Sequence, residues 1–477
     1  PYTTLFRSGP AVPEPANTIL TRLEAAGYQA YIAGGAVRDH VLGLGFRDMD
    51  IATDARPEIV TDLFSGADWK VHPTGIAHGT VTLAGTEPWN RLPVEVTTFR
   101  QDVSCDGRRA SVAFSSSLDE DAARRDLTMN ALYMTRSGRI LDPVGGLEDI
   151  ASGRIAFVGD ARRRIREDGL RILRIFRFLA THGGVLSRRS GRPARIETPT
   201  LGVIEAELSM LSHVARERIG DEMRKLLSAP RDGLVASLDA LFRSGAAGRI
   251  LSSPAVSSQM VQDCLRFEDP AGTERVSVDG MTDRPGSPGD TGSGEADHGK
   301  SGHEMSGHQV SGHGGIEHGD IDMLARLLCM TRDPMADETP AQLRTDLRLS
   351  RKEARNLRLI QDAARHVQAG RPGLSGLRLG ARLTRAGGRV LDAIQGLESP
   401  GRDRLADLGE ALASEFPLSG RDLEDRVPPR EIGGRLSELQ VRWFDAAVAA
   451  RTNGRPAPSR ETVLSWIGDS VLDEEAS

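Results

Sequence analysis

The chain's 477 residues leave room for about two to four domains, and a hydrophobic fraction of 39% can fill an ordinary core. A formal net charge of −6 excludes a protein that coats nucleic acid by bulk attraction, though not one with a local basic cleft. Apolar stretches such as "GLVASLDALF" and "ARLLCM" stop well short of the ~20 residues of a membrane helix. No secretory pattern opens the chain, so the cytoplasm is the expected setting and no membrane is implicated. Cys105, Cys264 and Cys329 form no CxxC pair, which points to ordinary thiols rather than a disulfide framework or a thiolate zinc site. Lysine occurs only at Lys70, Lys225, Lys300 and Lys352, so arginine supplies nearly all of the 61 basic residues, a bias that a genome rich in G and C also produces.

The opening "PYTTLFRSGP" fits no pattern that follows and is set aside. Residues 17–150 alternate helical and extended segments. "TILTRLEAAG" has helical spacing, and "QAYIAGG", "DMDIAT", "GTVTLAG" and "PVEVTTF" read as strands, which gives an α+β domain with a small mixed sheet. Residues 151–268 read as helices. In "RRRIREDGLRILRIFRFLATHG" the apolar residues Ile165, Leu170, Leu173, Phe176 and Leu179 recur at helical intervals. Residues 269–320 turn rich in Gly, Ser, Asp and His, with histidine at 298, 303, 308, 313 and 318. A period of five builds no stripe on a helix or a strand, so a disordered, solvated insert is expected, with a weak divalent-metal role as the alternative. Helical patterns return over residues 321–472.

In an extended "MDIAT" segment Asp48 and Asp50 project to the same side of the chain, and two such carboxylates repel unless cations lie between them. Oxygen-only donors favour magnesium, and a pair of such ions supports in-line phosphoryl displacement. Gly34 and Gly35 let backbone N–H groups approach a polyphosphate, and Arg38 can neutralise it. The order of these features, strand, Gly-Gly, Arg-Asp, then an acidic pair on the next strand, resembles the nucleotidyltransferase head of the DNA polymerase beta superfamily. "GGAVRD" with "RDMDIATDA" is similar to the form found in class II tRNA nucleotidyltransferases and bacterial poly(A) polymerases.

The resemblance runs strongly over about residues 17–230 and implies the rest of the expectations. "RRDLTMNALY" matches that family's RRDxxxNA block, which implies that Arg125, Asp126 and Asn130 lie against the sugar and phosphates of an incoming nucleotide. An aspartate accepting from a ribose 2′-hydroxyl would select NTP over dNTP. Glu95, on "VEVTTF", is the candidate third metal carboxylate, and residues 100–123 are expected to be a long polar loop. "REDGLRILR" resembles the EDxxR motif. Asp168, Arg171 and Arg174 are three apart and are expected on one helical face. A carboxylate accepts from the exocyclic amine of cytosine or adenine but meets an acceptor on uracil or guanine, and an arginine donates to N3 of cytosine or N1 of adenine. An intrahelical Glu167–Arg171 ion pair is the plainer alternative. "ARERIGDEMRKLL" resembles the ERIxxE block, in which Glu217, Arg218 and Glu222 are expected to buttress the preceding helix and turn. Arg344, Arg348, Arg351, Arg355 and Arg358 could meet phosphates or form a solvated face.

The expected architecture is therefore a nucleotidyltransferase head followed by an all-helical neck, body and tail. The expected reaction is template-independent addition of C, C and A to the 3′ end of tRNA from CTP and ATP, with Mg2+ as cofactor. A poly(A) polymerase or a CC-only or A-only relative is the nearest alternative, and a catalytically idle RNA-binding protein is the alternative of another class. The sequence points to no protein partner.

Overall fold

The computed structural model describes residues 12–46, 49–66, 68–75, 79–85, 93–105, 110–255, 257–266, 318–369, 384, 390, 412, 415–424, 426–452 and 455–469. It opens with α1 (Ala16–Ala25), whose Ile19, Leu20 and Leu23 are buried at helical spacing. Then follow β1 (Ala30–Ala33), α2 (Gly35–Leu42), β2 (Met49–Thr53), α3 (Pro57–Phe64), β3 (Trp69–Gly75), β4 (Thr80–Gly85) and β5 (Val94–Thr98). β6 (Arg100–Cys105) and β7 (Ala110–Phe114) precede α4 (Leu118–Ala123), β8 (Tyr133–Met134), β9 (Ile140–Leu141) and α5 (Gly146–Ser152). Seven strands form one sheet in the order β3-β4-β5-β2-β1-β8-β9. The β2–β5 pair is parallel and its neighbours are antiparallel, which makes the sheet mixed. In the β2–β5 register Asp50 lies beside Glu95.

The long loop expected over residues 100–123 is only partly a loop. β6 and β7 pair antiparallel, Arg100 opposite Phe114 and Cys105 opposite Ala110, before α4 begins at Leu118. Polar side chains hid a hairpin held by its backbone ladder. Residues 106–109 lie outside the described residues.

The remainder is helical: α6 (Ala161–Glu167), α7 (Arg171–Ser190), α8 (Thr198–Ala206), α9 (Arg216–Leu227), α10 (Arg231–Arg243), α11 (Ala247–Ile250), α12 (Gln259–Arg266), α13 (His318–Cys329), α14 (Thr339–Leu347) and α15 (Arg351–Gln368). Two further helices, α16 (Ile432–Thr452) and α17 (Arg460–Asp469), close around Trp443, whose indole N–H donates to the Pro458 carbonyl at 3.0 Å. Residues 269–317 of the expected insert lie outside the described residues, and residues 318–320 already open α13. α15 starts with a capping box in which Ser350 and Glu353 satisfy each other's backbone N–H. Glu353 also takes Arg224 of α9 at 2.6 Å, tying the two helices together.

One buried apolar cluster runs from the head into the helices, from Ile19 and Ile51 through Leu173, Phe176 and Leu226 to Leu357 and Ile360. α7 is its spine. Ile172, Leu173, Ile175, Phe176, Leu179 and Leu186 are buried, and full burial of a side chain such as Phe176 contributes about 2–3 kcal/mol. The single helix implied by the apolar spacing of residues 161–182 is in fact two. α6 stops at Glu167 and Asp168 is extended, with φ −153° and ψ 111°. Asp168 therefore does not share a helical face with Arg171 and Arg174. It turns the chain instead, its Oδ1 accepting from the Leu170 N–H at 3.0 Å. A physical cause lies in Gly169, where a Cβ would come within 2.4 Å of the Met210 carbonyl oxygen. Gly169→Ala is therefore expected to cost about 1–3 kcal/mol through overpacking against backbone. A chemical denaturation series on the two proteins checks this, and an unchanged midpoint would show that the turn has room to move.

Candidate active site

Between the sheet and the start of α7 lies a cavity of about 500 Å³. Its sheet side carries Asp50 and Glu95, adjacent in register on β2 and β5, with Thr97 two residues beyond Glu95 on the same face. The Thr97 hydroxyl meets that of Thr80 at 3.0 Å. Asp48 lies outside the described residues. Arg100 at the start of β6 and, from helices and loops, Arg38, Arg124, Arg125, Arg171, Arg174 and Arg218 line the cavity together with Asp50, Glu95, Asp126 and Asp168. The excess of positive charge suits an anionic ligand in a partly enclosed space.

Gly34 ends β1 and precedes α2 with φ 66°, a conformation other residues rarely adopt, and a Cβ there would meet an Arg125 nitrogen at 2.7 Å. The turn thus brings the N-terminus of α2 beside the Arg125 guanidinium, and both are suited to phosphate. Arg38, one turn into α2, is itself anchored. Its Nε donates to Asp39 at 2.8 Å and one terminal nitrogen donates to Asn130 Oδ1 at 2.7 Å. Asn130 in turn donates to Asp126 Oδ1 at 3.1 Å, and Arg174 donates to Asp126 Oδ2 at 2.6 Å. One relay thus joins the "GGAVRD", "RRDLTMNA" and "REDGLRILR" segments.

The electrostatics follow from these contacts. Burial opposes the charge on Asp126, but Arg174 and the Asn130 and Leu127 N–H donors prevail and hold its carboxyl below the ordinary value. Burial likewise opposes the charge on Asp39, and His182 and Arg38 hold it low. Arg125 is fixed by Asp121 at 3.1 Å, by the Tyr133 hydroxyl at 3.0 Å and by the Asn130 carbonyl at 3.1 Å. Tyr133 donates to Asp121 at 2.7 Å, and burial keeps its hydroxyl protonated far above the usual range.

At the far side of the relay Arg171 is held by Glu167 at 2.6 Å and by the carbonyls of Arg164 and Arg124, each at 3.2 Å. The Glu167–Arg171 ion pair thus exists and Arg171 still lines the cavity, because a guanidinium carries five donors and these contacts leave some for a ligand. Arg218 pairs with Asp168 at 2.8 Å, at the turn that precedes α7, and it also lines the cavity, which the sequence did not indicate. Glu222 is buried and holds Arg177 at 2.6 Å, with Arg174 at 3.9 Å, whereas exposed Glu217 reaches Arg348 at 3.4 Å, away from the preceding helix.

The cavity therefore gathers Gly34, Gly35, Arg38, Asp50, Glu95, Arg125, Asp126, Asn130, Asp168, Arg171 and Arg174. Sequence reasoning missed Thr80, Thr97, Arg100, Arg124 and Phe178 as lining residues. Two of these had a legible signal: Thr97 shares the strand face of Glu95, and Phe178 lies four residues after Arg174 on α7. Among the described residues no group of three His, Cys, Asp or Glu side chains gathers as metal ligands, and no helix is long and apolar enough to cross a membrane.

Fold and cavity together define a nucleotidyltransferase head, and residues 30–156 match the Poly A polymerase head domain. The CCA-adding enzyme of Limosilactobacillus fermentum is 41% identical over 234 residues, covering 48% of this chain and 54% of that protein. The CCA-adding enzyme of Geobacillus kaustophilus is 38% identical over 266 residues, covering 55% of this chain and 60% of that protein. The alignments thus span little more than half the length of these curated relatives. The crystal structure of the Bacillus stearothermophilus CCA-adding enzyme in complex with CTP superposes with a TM-score of 0.64 at 26% identity, covering 97% of this chain and 99% of that one. The Thermotoga maritima CCA-adding enzyme complexed with tRNA shares the fold, with a TM-score of 0.60 at 17% identity over 98% of each chain. Residues 30–156 are thus similar to the head domain of poly(A) polymerases, and the chain as a whole shares its fold with CCA-adding enzymes.

The support beneath the cavity makes its own prediction. Asp121, with a side chain 3% exposed, carries the charge that offsets Arg124 and Arg125. Burial raises its proton affinity, yet Arg125 and Tyr133 hold its carboxyl below the ordinary 3.8. A depressed folded-state value contributes stability that is complete above the unfolded value and is lost as pH falls through the folded one. Stability should therefore decline on acidification below about pH 4. Asp121→Ala should cost about 3 kcal/mol at neutral pH by removing the buried carboxylate that offsets two half-buried guanidiniums, and it should flatten part of that acid limb. Urea denaturation of both proteins at pH 7 and in the acid range reads both effects.

Proposed function

We propose that the protein adds C, C and A to the 3′ end of tRNA without a template. The RNA 3′-hydroxyl attacks the α-phosphate of CTP or ATP, a P–O bond forms to the RNA, the bond to the β-phosphate oxygen breaks, and pyrophosphate leaves. The observation that carries the reading is the single cavity in which Asp50 and Glu95 on the sheet share space with Asp168 and Arg171 beside α7. Support also comes from the relatives, whose names describe CCA addition and, for the Bacillus stearothermophilus structure, a complex with CTP.

Each group has a role that its surroundings permit. Arg38, Arg125 and Arg174 bind the triphosphate, and the first turn of α2 approaches it through backbone N–H groups. Asp126 keeps lone pairs for a ribose 2′-hydroxyl beyond the donors it already accepts, which favours NTP over dNTP. Asp168, fixed by Arg218, accepts from the exocyclic amine of C or A, and Arg171 donates to N3 or N1. Uracil and guanine would set an acceptor against the carboxylate and a donor against the guanidinium. The oxygen-only donor set at Asp50 and Glu95 fits a hard divalent ion. With Asp48 these residues would hold Mg2+, which when bound activates the attacking hydroxyl and neutralises charge at the transferred phosphoryl group.

The test is incubation with Mg2+ and a tRNA transcript ending at the discriminator base, given CTP, ATP or both, followed by sequencing of the products. Two cytidines with CTP alone and a single terminal adenosine with both are expected, abolished by EDTA and by Asp50→Ala. Asp168→Ala should narrow the preference for C and A over U and G by about tenfold or more. A long adenosine tail would identify a poly(A) polymerase, a halt after two cytidines a CC-adding enzyme, and no extension at all an RNA-binding protein without this chemistry.

A further inference from the structure

The α7 face that meets the cavity continues past the base-reading segment. Phe178, one turn beyond Arg174, lines the cavity although only 4% exposed. Three guanidiniums surround its ring, Arg177 at 4.1 Å, Arg38 at 5.1 Å and Arg174 at 5.6 Å from the centroid. One turn further, His182 lies 5.4 Å from the same ring, with Nε2 3.4 Å from Asp39 Oδ1. That oxygen is also the one accepting from Arg38 Nε.

Three cations in so small a volume repel one another. Carboxylates relieve part of this, Asp126 at Arg174, Glu222 at Arg177 and Asp39 at Arg38. The electron-rich ring face is the one feature common to all three, and cation–π attraction strengthens when the cation is shielded from water, as the buried Arg38 is. Arg38 is thus gripped from two sides, by Asn130 on the head and by Phe178 and, through Asp39, His182 on α7.

We propose that Phe178 and His182 are positioning residues that hold the Arg38 guanidinium in place for the nucleotide's phosphates. The helix that begins with base-reading Arg171 thereby also sets the phosphate-binding arginine of α2. This rests on the nucleotidyl-transfer reading above, in which Arg38 meets the triphosphate. Phe178→Leu keeps an apolar side chain and removes the π face, and His182→Gln removes the imidazole beside Asp39.

The experiment is a double-mutant cycle read by equilibrium binding of a non-hydrolysable CTP analogue, with CTP addition to a tRNA transcript measured alongside. Phe178→Leu should weaken analogue binding and raise KM for CTP about tenfold while kcat changes less than about threefold. Combined with Arg38→Lys it should add little to the loss caused by Arg38→Lys alone, because the two act through one guanidinium. His182→Gln should follow the same pattern with a smaller effect, and it carries the cycle if Phe178→Leu does not fold. Additive losses, or a Phe178→Leu protein with wild-type affinity, would overturn the proposal. A wild-type protein that binds the analogue but extends no RNA would fail the function reading alone, with the cycle still deciding the role of Phe178. A wild-type protein that binds no analogue would overturn both.

Discussion

The cavity depends on one chain of paired charges. Asp39, Arg38, Asn130, Asp126, Arg174 and Glu222 follow one another through hydrogen bonds and ion pairs that begin on α2, pass through the segment after α4 and end on α9. A guanidinium taken out of water costs several kcal/mol unless its donors are met, so the position of each arginine is dictated by the acceptors available to it. Here the acceptors alternate with the donors, and no member can move without leaving a neighbour unsatisfied. The relay also crosses from the sheet domain to the helices, where the apolar cluster continuous from Ile51 to Phe176 supplies the rigid support it requires.

The sequence of the relay was legible, and its geometry only partly so. "GGAVRD", "RRDLTMNA" and "REDGLRILR" each carried residues that line the cavity, and the resemblance to a known family implied roles for them. Asn130 shows what motif reading leaves out. Its amide faces Arg38 with one end and Asp126 with the other, so in this structure it works as a bridge between two segments. Glu95 was readable as a neighbouring-strand carboxylate, but its in-register place beside Asp50 depends on parallel pairing between strands more than 40 residues apart, which no local pattern records.

The departures from expectation have separate causes. Apolar periodicity runs through residues 161–182, yet one helix ends at Glu167 and the next begins at Arg171, with Gly169, a weak helix former, between them. The hairpin over residues 100–114 was obscured because polar side chains give a weak period of two while backbone pairing decides the outcome. Arg218 supports the turn at Asp168, fifty residues away in sequence, and its further place in the cavity wall becomes visible only in the tertiary fold.

The broken helix has a consequence for recognition. Within a continuous helix Asp168 would have its side chain fixed relative to Arg171 by the helical repeat alone. In the extended segment it is held instead by the N–H of Leu170, the residue that caps α7, and by Arg218 of α9. The separation between the accepting carboxylate and the donating guanidinium is thereby set by how α9 packs on α7. α9 in turn is tied to α15 through Arg224 and Glu353. In the proposed reading, the hydrogen-bond pattern offered to a base therefore depends on the tertiary packing that places Arg218 against Asp168, and not on the local helical repeat.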